Sequence, residues 1–400
     1  MHRAPRIFPG SVVVSFLLAA LCACSPQSKV PPLDAGAVDQ EARLQHEMAV
    51  RDAAGHLEQL YRVAWNIRAM NVDLCGDHVA ASFGFTLVSL KSYKNAMQRA
   101  AVKNVIHAHD APTVFLIGPG GPADVAGLAR GDVVVSIDGQ PAETRKRARQ
   151  LLSEALKVGR PVVLETRRDG AIISRTLKPF KICGYPVLMD PSAEINAHAS
   201  GDAIYINKGI IKFIKNDDEL AAIVGHEMGH NVRQHLRDQD FNSAVGHLLV
   251  DLPIRLLLGV NTYAGAQVGA QMFSPEYEAE ADYVGLYYAA RAGYDIHNVA
   301  DVWRRMSVEY PQIITLVTTH PSNSQRFVGL AADAAEIDRK RAEGLPLVPE
   351  LKGSSAKKPA TTDAAKTPPA PKPDAAKAPA AKAPEVTVDS EADQQPEADL

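Results

Sequence analysis

The chain has 400 residues, enough for two or three domains and a sizeable core. Its 22% charged and 46% hydrophobic residues are ordinary for a globular protein, and a net charge of -3 argues against a nucleic-acid partner, which usually calls for a basic face. His2, Arg3 and Arg6 make a positive start, and residues 11–23, SVVVSFLLAALCA, follow as a short apolar run. That run is shorter than the ~20 residues that span a bilayer and fits the core of a secretory signal.

The run ends in LCAC. Leu21, Ala23 and Cys24 resemble a bacterial lipobox. The resemblance implies that residues 1–23 are a lipoprotein signal peptide, that cleavage falls before Cys24, and that Cys24 meets the membrane through an N-terminal lipid. An ordinary secretory signal with an incidental cysteine is the alternative. Ser25, by analogy with lipoproteins, favours the outer membrane, so the expected location is the periplasm. Disulfides persist in such a compartment. With Cys22 removed and Cys24 lipidated, Cys75 and Cys183 remain, and they are expected to pair; two buried free thiols are the alternative. The bridge would span a segment that looks like an inserted domain.

Residues 24–40, rich in Pro, Ala and Asp, read as a tether. Residues 41–110 form an N-terminal, mainly helical segment. Its helix covers 41–70, with apolar positions at Leu44, Met48, Leu57, Leu60, Val63, Ala64 and Ile67; 86–110 carry no clear pattern. Residues 111–180 change texture. TVFLI is strand-like, GPGGPADVAGLARGDVVVSIDGQ gives a turn, a short helix, a strand and an Asp-Gly hairpin turn, ARQLLSEALKVG is an amphipathic helix, and a hairpin follows. PADVAGLARGDVVVSIDG resembles a PDZ domain of the HtrA type. The resemblance implies binding of extended peptides at a sheet edge, with a purely structural spacer as the alternative. SFGF at 82–85 has the flavour of a carboxylate-binding loop, but it lies far upstream and is assigned to the neighbouring domain.

Residues 181–345 form a further domain. YPVLMD, INAHAS and AIYINKGII read as strands, and NDDELAAIVGHEMGHNVRQHL as a helix capped by Asn216 or Asp217. Residues 244–273 are apolar and glycine-dotted, but Asp251, Pro253 and Arg255 interrupt them, against a membrane span. The segment could cover a cleft or touch the membrane; a buried core hairpin is the plain alternative. SPEYEAEADYVGLYYAARAGY and NVADVWRRMSVEY are two more helices. Residues 346–400, rich in Pro, Ala and Lys, are expected to be disordered. The fold class is α+β: a mainly helical domain with a small sheet, plus a β-rich PDZ-like domain.

The chemistry centres on HEMGH at 226–230. His226 and His230 are one helical turn apart on one face and can share a zinc ion, with Glu227 beside it to take a proton from water. A satisfied pair of core histidines is the alternative. Gly225 and Gly229 keep the helix slim beside a close neighbour. A catalytic zinc needs a third protein ligand. A histidine at 236 would supply it in metzincins, but that position is Leu236, and His235 points elsewhere on the helix as a surface residue or an outer partner of the site. EYEAEAD offers Glu276, Glu278 and Glu280. Glu278 and Asp282 share a face, so that one could bind zinc while the other fixes a histidine tautomer. Glu280 is rotated roughly 200° from Glu278, so both cannot reach the metal.

HEMGH, followed 48 residues later by the ExxAD pattern at 278–282, resembles the peptidase family of the CaaX prenyl endopeptidases and HtpX-like proteases. INAHASGDAIYINKGII and THPSNSQR at 319–326 match two further elements of that family. The resemblance implies one Zn2+ per chain on His226, His230 and Glu278, Glu227 as general base, and Asp282 behind the ligands. Asn196, Ala197 and Arg326 would line the cleft. His320 would stabilise the oxyanion or regulate the zinc, unless it is simply structural. The implied activity is zinc-dependent hydrolysis of peptide bonds in envelope proteins, in quality control, with protein or peptide substrates. The alternative is a PDZ-based peptide-binding or chaperone-like lipoprotein whose zinc site is latent or structural.

Overall fold

The computed structural model describes residue 28, residues 30–238, 244, 248, 274–309 and 324–350. Cys24, His320, nearly all of the apolar stretch 244–273 and the Pro/Ala/Lys-rich tail from 351 lie outside the described residues. Among the described residues no helix is long and apolar enough to cross a membrane. Residues 1–44 and 45–400 separate as two units, and the second carries the elements that follow the first helix.

Helix α1 runs Ala35–Met70. It starts inside the stretch read as a tether, because Asp34 accepts the Ala37 N–H at 2.8 Å and so caps an alanine-rich first turn. Leu60, Val63, Ala64 and Ile67 are buried as the periodicity requires, whereas Leu44 and Met48 are each 51% exposed. Strand β1 (Val79–Ser82) leads to β2 (Phe85–Val88), then helix α2 (Ala96–Ile106), whose Asn95 cap accepts from Met97 and Gln98. Strand β3 (Thr113–Ile117), helix α3 (Pro122–Val125), strands β4 (Val133–Ile137) and β5 (Gln140–Pro141), helix α4 (Arg145–Lys157) and strands β6 (Val162–Arg168) and β7 (Ala171–Leu177) follow.

The sheet order is β2-β3-β4-β6-β7, with β5 on β4. The sheet therefore takes in residues 85–88, upstream of the expected start at 111, and SFGF leads directly into its edge strand. Local pattern hides this, because the pairing of Phe85 with Ile117 crosses a whole helix. Leu151, Leu152, Leu164 and Leu177 fill the core of this body.

Strand β8 (Phe180–Cys183) returns antiparallel to β1, pairing Val79 with Cys183 through to Ser82 with Phe180. At the same point a disulfide joins Cys75 to Cys183 across 108 residues. The insertion thus leaves and rejoins the chain through one two-stranded neck. A second anchor is Trp65 of α1, only 3% exposed, whose indole fills a cradle of glycines. A Cβ added at Gly118 or Gly121 would come within 2.3 and 2.5 Å of that ring, and Trp65 Nε1 donates to the Pro119 carbonyl at 3.0 Å.

Beyond the neck come β9 (Val187–Asp190), β10 (Ala197–Ala199) and β11 (Ile204–Asn207), in the order β10-β11-β9. Helices α5 (Lys208–Phe213), α6 (Asp217–Val232), α7 (Ser274–Arg291), α8 (Ala300–Glu309) and α9 (Ser324–Ala342) complete the described elements. One core joins α1, this small sheet and α6 to α9, with Tyr287, Tyr288, Ile204 and Ile337 buried in it.

Candidate metal centre

Helix α6 owes its start to its own sequence. Asn216 accepts the Glu219 N–H at 3.0 Å, and Glu219 in turn accepts the Lys215 N–H at 2.8 Å. Arg305 on α8 then grips both Glu219 oxygens at 2.8 and 2.7 Å, a paired geometry that fixes the helix end.

Glycine sets how closely α7 can approach. A Cβ on Gly225 would meet the Gly285 carbonyl oxygen at 2.5 Å, and one on Gly285 would meet the His226 nitrogen at 2.6 Å. Gly229 faces Ala281 and Val284 in the same way. Gly225 and Gly229 are legible as a slim face; Gly285 is their counterpart, and a single glycine within an apolar helix gives no warning of it.

This approach brings Glu278 of α7 to the histidines of α6. His226, His230 and Glu278 are all buried and offer ligand atoms within 4.8 Å of one another. His230 Nε2 lies 3.1 Å from His226 Nε2 and 3.2 Å from Glu278 Oε1. His226 Nε2 lies 3.4 Å from Glu278 Oε2. Two imidazole nitrogens and a carboxylate oxygen are a donor set suited to zinc, whose catalytic sites take three protein ligands and keep the fourth position for water. Burial and Arg326 push the His226 imidazole down, but Asp282 and Glu278 outweigh them and raise it to about 10. The carboxylates thus favour a positive charge here.

Around this group lies a second layer. Asp282 Oδ1 is 2.8 Å from His226 Nδ1, the nitrogen facing away from the cluster. Burial raises the Asp282 carboxyl, yet Arg326 and His226 override it and hold it below the usual range. Arg326 donates to Asp282 at 2.7 Å, lies 3.6 Å from Glu278 and stands over the Trp303 ring at 4.5 Å. Glu227 is 2% exposed, on the same turn as His226. Ala197 opens β10 and is buried, Asn196 just before it is half-buried, and among the described residues β10 is an edge of its sheet. Asn231, which the sequence does not single out, ties the turn between β10 and β11 to α6. Its side chain accepts the Gly201 N–H at 2.8 Å and donates to the Ala203 carbonyl at 2.9 Å.

His235 and Glu280 occupy places of their own. His235 is buried, with Nδ1 3.0 Å from His230 Nδ1. Glu280 stays away from the three ligand atoms, as its rotation on α7 demands, and lies 3.4 Å from His235 Nε2. Glu276 is exposed in the first turn of α7.

Residues 165–333 match peptidase family M48, and residues 114–168 match the PDZ domain. The family read from HEMGH and the ExxAD pattern is the one matched, and so is the PDZ resemblance. Mitochondrial metalloendopeptidase OMA1 of Schizosaccharomyces pombe is 31% identical over 162 residues, covering 39% of this chain and 48% of its own length. The β-barrel assembly-enhancing protease of Escherichia coli K12 is 29% identical over 118 residues, covering 26% of this chain and 24% of its own. The chain therefore spans about half the length, or less, of these curated relatives. Among solved structures, the PDZ domain of HtrA3 bound to a phage-derived ligand aligns at 20% identity with a TM-score of 0.21, covering 27% of this chain and 92% of that one.

Proposed function

We propose that the protein is a zinc-dependent endopeptidase of the bacterial envelope that cleaves misfolded or misassembled envelope proteins. The observation that carries this reading is the convergence of His226, His230 and Glu278 within 4.8 Å. These three residues would hold one Zn2+ per chain. When bound, such an ion lowers the pKa of a water toward ~7 and polarises a carbonyl.

The chain's own residues do the rest. Glu227 takes the proton of the attacking water and passes it to the leaving amine. Asp282 accepts the Nδ1–H of His226, which leaves Nε2 free as a donor atom. Arg326 keeps Asp282 ionised for that task. A substrate strand adds to the open edge of β10 beside Asn196 and Ala197, held to the catalytic helix through Asn231. His320 either stabilises the oxyanion or regulates the zinc.

The name of the E. coli relative, an assembly-enhancing protease for β-barrels, supports envelope proteins as the substrate class. The PDZ-like body helps select them. The apolar run 11–23 and Cys24 support export to the periplasm and a lipid anchor, with the outer membrane favoured.

Glu227→Gln tests the reading. The variant should bind zinc as the unchanged chain does and lose casein cleavage by ~10²–10⁴-fold, the usual worth of a general base. Cleavage that survives this change, or an unchanged chain that holds no zinc, would refute it.

A further inference from the structure

The catalytic helix stops before a straight extrapolation would have it, and its end returns a histidine to the site. Helix α6 closes at Val232, and Gln234 takes φ 58°, a left-handed conformation rare for a residue with a side chain. A new helical turn begins at His235. The reversal carries His235 inward to 1% exposure, where its ring stacks on Tyr277 at 4.7 Å.

Its two nitrogens face different partners. Nδ1 is 3.0 Å from His230 Nδ1, and Nε2 is 3.4 Å from Glu280 Oε2. Two ring nitrogens at that distance share one hydrogen bond, which needs one donor and one acceptor. His230 Nε2 is turned toward His226 and Glu278, at 3.1 and 3.2 Å. For that nitrogen to offer its lone pair, the His230 proton must sit on Nδ1. His235 must then accept on Nδ1 and carry its own proton on Nε2, where Glu280 accepts it. Each hydrogen bond in the chain has one donor and one acceptor.

We infer that Glu280, His235 and His230 form a positioning relay that fixes the tautomer and ring plane of His230, as Asp282 does for His226. The inference rests on the zinc reading above. The two ligand histidines are then held by unlike means. His226 meets a buried, Arg326-paired carboxylate directly, whereas His230 meets a neutral imidazole backed by a carboxylate that is 43% exposed. The opposite arrangement, with His235 donating, would put the His230 proton on Nε2 and take that nitrogen out of the donor set.

The test measures zinc affinity of the full chain by chelator competition, with the imidazole tautomers read by 15N NMR. The variants are His235→Phe, which keeps a ring to stack on Tyr277 but cannot accept, and His235→Gln, whose amide oxygen can. Melting of the chelated proteins checks folding. The relay predicts a ~10–100-fold loss of zinc affinity in His235→Phe, the usual worth of an outer hydrogen-bond partner. His235→Gln should stay within a few-fold of the unchanged chain, and His230 should carry its proton on Nδ1. Equal affinity for His235→Phe and the unchanged chain, an equal loss in both variants, or a His230 proton on Nε2 would overturn the relay while leaving the zinc reading in place. An unchanged chain that binds no zinc would overturn both.

Discussion

Arg326 and Asp333 lie two turns apart on α9 and meet the same centre with opposite charge. Arg326 settles the buried charge of Asp282 at 2.7 Å. Asp333 adds to it: burial first, then the charges of Asp282 and Glu336, push its carboxyl up to about 7. The sign of the effect on stability follows. Below ~4 Asp333 holds its proton in both the folded and the unfolded chain. Between ~4 and ~7 the unfolded chain releases it and the folded chain keeps it, so folding loses stability as pH rises through that window. Asp333→Asn should therefore stabilise the protein at pH 8 by roughly 1 kcal/mol, after allowance for solvent screening at this half-buried position, and have little effect near pH 4. Urea unfolding at the two pH values reads the difference, and equal midpoints for variant and parent at pH 8 would contradict it. The residues of the centre were legible to different degrees. The i, i+4 spacing puts His226 with His230 and Glu278 with Asp282 on one helix face each, and the family resemblance, not the spacing, says which carboxylate joins the histidines. His235 was legible only as a surface residue or an outer partner of the site, because the choice between them depends on the left-handed Gln234, a backbone reversal that residue identity does not announce.

Helices α6 and α7 are held at glycine distance, and the ligand set depends on it. Gly→Ala inside a helix ordinarily stabilises by ~1 kcal/mol. At Gly225 the added methyl would meet the Gly285 backbone at 2.5 Å, and the helices must part. Gly225→Ala should cost ~1–3 kcal/mol by overpacking and weaken zinc binding, because Glu278 moves off with α7. Gly329→Ala on α9 is the internal control: nothing lies within 4 Å of its Cβ, so it should gain ~0.5–1 kcal/mol. Thermal melts and zinc titration of the pair check both directions, and a gain at Gly225 would refute the account. At this scale too, local pattern carried part of the answer. Helices α4, α6 and α7 read directly from periodicity and caps. The edge strand β2 did not, because its sheet partner Ile117 lies beyond α2.

In the molecule as a whole, the PDZ-like insertion is fixed at the β1–β8 neck with its disulfide, at the Trp65 cradle, and where Ala54 of α1 packs in one buried cluster with Val88, Val102 and Ile106. In the chain-entropy view, a bridge closing a loop of 108 residues is worth about 4–5 kcal/mol. A Cys75→Ser, Cys183→Ser chain should unfold at lower urea by about that amount, and its zinc affinity should not change, because neither cysteine touches the ligand set. Unfolding curves under oxidising and reducing conditions measure it: the parent should shift on reduction and the double variant should not.

The neck has a consequence for portability. Ser82 and Phe180 are paired across neighbouring strands, so the two cut ends of the insertion lie one strand spacing apart, about 5 Å. In design terms the whole body is a cassette in a hairpin turn. Its ends can be rejoined by two residues, or the body exchanged for another recognition module, once the face of α1 that packs on it is recut. Trp65 and Ala54 are residues that would have to change with it: the glycine seat of the indole departs with the cassette, and so do Val88, Val102 and Ile106, which cover Ala54.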